Sequence, residues 1–568
     1  MRVASRQGLG YIDAMILTPR LMGTCLLFSV LWSPAQEPVD GAPPRLVVMV
    51  SVDQMIPEQL ERLGPHFEGG FDRFLTEGRS FRRAALGHSR SETGPGHVTL
   101  ATGVHPNRHG IVGNDMYDRE AQASTYCVTD ADAGIIGMDG PLASPGRSPK
   151  NVRSLTIGDR VQASYPDAKL VSLSMKDRSA IGMGGQHPTA AFWWDRVGGG
   201  FVSSTWYGEA LPDWVRQWNA GWRAKTSGHV WTQLFEGGPQ GSGTAPDDRP
   251  GEGKVGIEAD NSFPHTPGEM SAEATVEEIK MAANFVYFSP LGDEYVLQLA
   301  TEAVKTFDLG GDEVPDVLTI GLSTCDAVGH LFGPYSCEVT DLLLRTDRKL
   351  GELFALLDER VGKDQWIAVL SADHGVLPLP EHLQSQGVAS ERIPAGLLSQ
   401  VASMVDEGLT EQFGSGFKVV PRPGGLALDV AAVAGAGLDI KDVRKVAREI
   451  VVGVEWVDRA YTFDELLDAE AEKGPRELLA SRSVAPGRGP DIAIELGPWL
   501  LLSKYATGTS HGSAHPYDRK VPFSFLGPSV TAGDDYRAGV HTVDAVPTLL
   551  HQLGIEAAGL DGQTLPLE

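Results

Sequence analysis

The chain has 568 residues, 42% apolar and 21% charged, ordinary usage for a folded protein of three to four domain-sized units and too apolar for wholesale disorder. Lysine plus arginine total 48 against 74 aspartates plus glutamates, a net charge of −26. That excludes duplex nucleic-acid or anionic-lipid binding as the main activity, since both need a basic footprint, but not an anionic substrate drawn to a local metal site. Four cysteines without CxxC spacing exclude a disulfide scaffold and a cysteine-type zinc module.

In chain order, Arg20 precedes the 12-residue apolar run Leu21–Trp32, and Ser33-Pro34-Ala35 offers small residues for cleavage. This predicts a signal peptide over 1–35, starting at Met1, Met15 or Met22, and export to the periplasm or medium; the alternative is a buried helix. The run continues past Cys25, which disfavours a lipid-anchor motif there. No other segment reaches about 18 uninterrupted apolar residues, so the processed chain is expected to have no membrane span. Cys127, Cys325 and Cys337 would remain, and an oxidising compartment would allow one pair to bridge; spacing does not choose which.

Short uninterrupted apolar runs recur at Leu46–Val52, Leu170–Met175, Val317–Leu322, Trp366–Leu370 and Val521–Leu526. Such runs suit parallel strands buried on both faces. Between them lie helical patterns such as Asp341–Asp358, with Leu342, Leu343, Leu350, Phe354 and Leu357 on a 3.6-residue period. The fold class is therefore α/β: an open, mostly parallel sheet between helices, with inserted cap segments. The expected organisation is catalytic core at 45–190, 311–390 and 491–568, with insertions at 191–310 and 391–490. The first insertion is rich in Trp and then in Gly and Pro; Trp214, Trp218 and Trp222, at i, i+4 and i+8, predict the buried stripe of one helix rather than a ligand cage. In the second, Gly425–Val430 and Trp456–Tyr461 read as strands and Ile440–Val452 as a helix.

In open α/β sheets functional groups gather where strands end. The first run ends at Asp53, the third leads to Asp326 and His330, and the fourth runs into Asp373-His374. Gly508-Thr509-Ser510-His511 precedes the last strand, with His515 a competing ligand by spacing. One aspartate after a strand is usually a turn or cap residue. Together these segments supply three carboxylates and three imidazoles, a donor set suited to Zn²⁺ or another first-row metal. Thr93 precedes Gly94-Pro95-Gly96 and a predicted helix, so its hydroxyl either caps that helix or faces an anion held by free backbone N–H groups. Asn114 can donate to an oxyanion, and Lys176 and Arg178, two apart after a strand, are expected on one side by alternation.

The stretches ETGPGHVTLATG, HGIVGNDMYD, SMKDRSAIGMGG, DVLTIGLSTCDAVGHLFGPYSCE, SADHG and GTSHGSAHPYDRKVPFSFLGP resemble the alkaline phosphatase superfamily. The similar branch holds type I phosphodiesterases/nucleotide pyrophosphatases and threonine-nucleophile alkaline phosphatases, and the likeness runs from about residue 45 to 566. The resemblance implies two Zn²⁺ per chain. Asp326, His330 and His511 would hold one; Asp53, Asp373, His374 and the nucleophile Thr93 would hold the other. It further implies that Asn114 and the Gly94 N–H bind a phosphoryl oxygen, that Lys176 and Arg178 grip the extra oxygens of a monoester, and that His97 packs or hydrogen-bonds without ligating. Gly-Pro-Gly departs from the bulkier residues of the diesterase relatives and is expected to widen the pocket. The implied activity is an exported alkaline phosphatase acting through a phosphothreonine on small phosphorylated substrates. The alternative is a phosphodiesterase/nucleotide pyrophosphatase with the same metals. A sulfatase lacks support because no C/S-x-P-x-R motif is present. An export signal argues against a phosphoglycerate mutase, and the complete ligand set against an inert binding module. Nothing in the sequence points to a protein partner.

Overall fold

The computed structural model describes residues 42–257, 261–271 and 273–568; the expected signal peptide lies outside them. The strands of the main sheet are β1 (Leu46–Val52), β2 (Arg79–Phe81), β3 (Ile135–Gly137), β4 (Gly140–Pro141), β5 (Leu170–Ser174), β6 (Ala190–Trp194), β7 (Phe201–Ser204), β8 (Asp316–Leu322), β9 (Trp366–Ser371), β10 (Phe523–Leu526) and β11 (Gly533–Asp535). They lie in the order β11-β2-β10-β9-β1-β8-β5-β6-β7-β3-β4. The five central strands, β9-β1-β8-β5-β6, are parallel. β10 runs antiparallel to β9, unlike the parallel strand its apolar run suggested, because burial on both faces produces the same run in either direction.

All seven residues of β1 are buried. Val48 and Val50 join Leu318 and Ile320 in one core, while Val47 and Met49 join Val317 and Val369 in the other, so alternation splits the strand between two apolar layers. Each such side chain stabilises the fold by about 1.5–3 kcal/mol. The first layer is closed by α3 (Leu291–Phe307) and α5 (Cys337–Leu357), introduced here with α1 (Thr93–Thr102), α2 (Asp177–Gly184) and α4 (Thr324–Phe332).

Residues 191–310, expected as an insertion, are woven into this body: β7 pairs with β6, and α3 lies in the first layer. The tryptophan stripe is divided between helices Asp213–Ala220 and Trp222–Thr226, interrupted at Gly221; Trp222 is buried, and Trp214 and Trp218 pack beside it. Residues 391–490 build a separate apolar cluster around Val405, Leu426 and Val443, under a four-stranded sheet completed by Ile492–Leu496. There the strands are Gly425–Ala427 and Val457–Thr462, and the helix is Ile440–Val452. Cys127, Cys325 and Cys337 are buried free thiols, so none of them bridges. No helix among the described residues is long and apolar enough to cross a membrane.

Behind α1, His88, His105 and His109 are buried together. Burial, reinforced by neighbouring imidazoles and by arginines, holds His88 and His109 well below the ordinary histidine value, and burial with Arg482 pushes His105 down to about 3. These rings stay neutral in the fold, while the unfolded chain protonates them near 6.5. Their stability contribution is therefore complete above 6.5 and is lost as pH falls, by about 2 kcal/mol per histidine at pH 5. The melting temperature, followed by circular dichroism, is expected to drop by about 5 °C between pH 7 and pH 5. His88→Leu should remove part of that drop.

Candidate active site

Register brings the site together. Val52 pairs with Leu322, Ser51 with both Gly321 and Ser371, and Gly321 with Ser174, so the ends of β1, β8, β9 and β5 lie level. Asp53 follows β1, and its N–H donates to Leu322 O at 2.9 Å. Asp373 and His374 follow β9. α4 begins two residues beyond β8 and carries Asp326 in its first turn and His330 one turn on, on one face. His511 arrives from the loop before β10.

Asp326 Oδ1 lies 3.2 Å from His330 Nε2 and 3.5 Å from His511 Nε2. His374 Nε2 lies 3.2 Å from Asp373 Oδ2 and 4.0 Å from Asp326 Oδ1, and its ring stacks on His511 with centroids 3.5 Å apart. Two sets of ligand-type atoms each fall within 4.8 Å of one another: Asp326, His330 and His511, and Asp53, His97 and Asp373. The second set differs from the expected one. His97, four residues after Thr93 on α1, places Nε2 2.9 Å from Asp53 Oδ1 and Nδ1 3.3 Å from Asp373 Oδ2, because the helix start lies against both strand ends. His515 points elsewhere, bonded through Nε2 to Leu496 O and stacked on Tyr517.

A carbonyl oxygen only accepts, so the imidazole tautomers can be assigned. Nδ1–H of His330, His374 and His511 donates to Thr509 O (2.7 Å), Gly375 O (2.9 Å) and Ser91 O (2.6 Å). Each Nε2 therefore faces the carboxylates, the atom that would ligate a metal once unprotonated. Although Asp53 lies within ion-pair range of His97 and Lys176, neither of its oxygens has a directed hydrogen bond, nor do Asp373 Oδ2 and His374 Nε2, all buried. Unspent lone pairs on a mixed carboxylate and imidazole set fit divalent metal ions.

Burial alone would raise the carboxylates, but His330 and Lys176 hold Asp326, and His374 and His97 hold Asp373, well below the usual range. Burial and His374 push His511 down to about 4. Lys176 Nζ lies 2.5 Å from Asp326 Oδ2 and 2.7 Å from Asp53 Oδ2; despite burial, these two carboxylates raise its pKa.

Thr93 opens α1 without capping it; the cap position is Glu92. Thr93 is 1% exposed, and its Oγ1 receives Arg178 Nη2 at 3.2 Å and Lys176 Nζ at 3.5 Å. The two cations share a side because β5 ends at Ser174 and Lys176 caps α2, not because a strand alternates through them. The Gly94 N–H, expected to be open, donates to Asn114 Oδ1 at 2.7 Å, which leaves the Asn114 amide N–H groups as donors. The two glycines of Gly-Pro-Gly sit where α1 packs closely. A Cβ on Gly94 would come within 3.1–3.3 Å of Cys127, Asn114 and Ile111, and one on Gly96 within 2.0 Å of Asp373 O. Gly96 lets α1 approach the β9 loop, and Gly94 lets it approach Cys127, Asn114 and Ile111.

Sequence reasoning missed several supports. Gln54, in the left-handed region at φ 67°, ties the two groupings through N–H to Asp373 Oδ1 (3.0 Å) and Nε2 to Asp326 Oδ1 (2.7 Å). Glu92 accepts the Asn114 N–H at 2.7 Å and pairs with Arg90. Arg178 donates to Tyr126 Oη, which donates to Asp177, which accepts from Arg147. Only the position of Gln54 next to Asp53 was a signal.

Two carboxylate–imidazole groupings at the carboxyl edge of a parallel sheet, around a buried hydroxyl flanked by two cations, define a hydrolase of anionic esters. The model of the type I phosphodiesterase / nucleotide pyrophosphatase family matches residues 47–412. The alkaline phosphatase PafA of Elizabethkingia meningoseptica is 30% identical over 95% of this chain and 97% of its own. The alkaline phosphatase PhoV of Synechococcus elongatus is 30% identical over 92% of both. The crystal structure of wild-type PafA superposes with a TM-score of 0.83 at 29% identity, covering 92% of this chain and 99% of that one. The chain belongs to the type I phosphodiesterase/nucleotide pyrophosphatase family of the alkaline phosphatase superfamily, on the branch of the threonine-nucleophile alkaline phosphatases.

Gly96→Ala should push α1 off the β9 loop. A shift of about 1 Å at Thr93 should cut kcat/KM on the order of a hundredfold. Steady-state kinetics measure that loss, and an unchanged circular dichroism spectrum shows it to be local.

Proposed function

We propose that this protein is an exported, zinc-dependent alkaline phosphatase that hydrolyses phosphate monoesters through a phosphothreonine. The observation that carries the reading is the convergence of Arg178 and Lys176 on Thr93 Oγ1, at 3.2 and 3.5 Å, beside the two groupings. Asp326, His330 and His511 would hold one Zn²⁺, and Asp53, Asp373, His374 and Thr93 the other, with His97 Nε2 against Asp53. Bound there, the ions would neutralise phosphoryl charge and favour the ionised hydroxyl and leaving oxygen.

The residues do the rest. Lys176 and Arg178 are cations and cannot take the Thr93 proton; they stabilise the ionised oxygen. With its proton passed to water, Thr93 Oγ1 attacks phosphorus, the ester oxygen leaves with its electron pair and gains a proton from water, and a second water then attacks phosphorus, releasing phosphate and returning a proton to Thr93 Oγ1. Asn114 donates to a non-bridging oxygen. Lys176 and Arg178 meet the remaining anionic oxygens, which a monoester has and a diester replaces with a neutral ester group. A phosphodiesterase/nucleotide pyrophosphatase would have to bury that neutral group against two cations, which disfavours it. The apolar run Leu21–Trp32, preceded by Arg20, supports export, and small phosphorylated molecules are the substrates.

Chelation should abolish turnover of p-nitrophenyl phosphate, and metal analysis should find roughly two zinc per chain; full activity without metal overturns the reading. Thr93→Ala should lose the acid-stable phosphopeptide that the wild type forms, while Thr93→Ser retains some activity. Lys176→Ala/Arg178→Ala should cost monoesterase kcat/KM several kcal/mol and hydrolysis of bis-p-nitrophenyl phosphate far less. Equal losses would make the pair structural, and a wild-type preference for the diester would establish the diesterase.

A further inference from the structure

We propose that the cleft between the core and the 391–490 segment receives the alcohol half of the ester and selects uncharged aromatic alcohols; this rests on the monoesterase reading above. The cleft holds about 250 Å³. Glu92 and His511 are among its lining residues, so it borders the site. Its walls include Tyr117 from the core and Trp456, Ile494 and Leu502 from the far side.

Direction follows from in-line displacement, which places the leaving oxygen opposite Thr93 Oγ1. The helix start that carries Thr93 is placed on the Asp53–Asp373 side by His97, one turn on, which lies against both carboxylates, and by the approach of Gly96 to Asp373. The departing oxygen therefore faces the Asp326–His330–His511 grouping, and the group it carries extends past His511 into the cleft. The volume suits one or two fused rings and lies just under the range for drug-sized ligands. The lining sets the charge preference: Glu92 pairs with Arg90 and Glu495 with Arg476, while Asp115 and Asp518 face no lysine or arginine, so no unpaired cation stands among the described lining residues. A leaving group with a further phosphate is repelled, and a neutral aromatic one is buried against Trp456 and Tyr117.

The test compares 2-phenylethyl phosphate with ethyl phosphate, whose leaving alcohols are chemically alike, in the zinc-loaded enzyme. The wild type is expected to favour the aromatic ester in kcat/KM on the order of tenfold. Leu502→Trp, which fills the cleft, and Trp456→Ala, which removes a wall, should both bring the ratio near one. Ethyl phosphate turnover should stay within about twofold, since neither residue reaches the phosphoryl group. In parallel, 2-phenylethanol should give a saturable fluorescence change that Trp456→Phe lacks. A wild-type ratio near one, a ratio unmoved by both variants, or no fluorescence change overturns the subsite while leaving the monoesterase intact. Failure to hydrolyse either ester overturns the monoesterase itself, and the fluorescence titration then still decides whether the cleft binds aromatic alcohols.

Discussion

Three carboxylates, Asp53, Asp326 and Asp373, are buried side by side at the carboxyl edge of one parallel sheet, and a protein interior tolerates that charge density only with cations against it. Lys176 bridges Asp53 and Asp326, and His97 lies between Asp53 and Asp373, held strongly basic, with a pKa raised to about 10, by those two carboxylates despite its burial. Main-chain carbonyls give the imidazoles their orientation. With each Nδ1 so engaged, the Nε2 atoms of three histidines turn inward. A site that attracts divalent metal ions and phosphoryl groups thus follows from how the fold balances its own buried charge.

The second determinant is closeness. α1 can bring a hydroxyl to these carboxylates only because it has no side chain where it meets the β9 loop; Gly96 leaves room for the Asp373 carbonyl. Every residue of this helix is buried, so it is held by packing on all sides, not by a side-chain cap. Gln54 adds a strut between the two groupings from a strained backbone position, a place where strain is offset by the contacts it secures.

An outer layer of contacts holds the side chains around Thr93. Arg178 is aimed by Tyr126, itself fixed by Asp177 and Arg147, and Asn114 is fixed by Glu92. The small sheet at 420–496 contributes nothing to the charge balance; it faces His511 across a cleft. On the proposed function, phosphoryl recognition and recognition of the alcohol would come from different parts of the chain.

The strands and the charged residues at their ends were legible in the sequence. A strand buried on both faces must be apolar throughout, as in β1, β8 and β9, and the next residue emerges at the carboxyl edge, as Asp53 does. The spacing of Asp326 and His330 reports a shared helix face for the same local reason. Strand direction was not legible, since β10 reads the same parallel or antiparallel, and the tryptophan stripe ran on in sequence where Gly221 interrupts it in space. The tertiary structure alone decided that Gly94 donates to Asn114, that His97 sits between two carboxylates, and that Gln54 reaches a partner 319 residues away. Local pattern records which faces of an element are buried, whereas these contacts depend on which distant element is packed there and at what register.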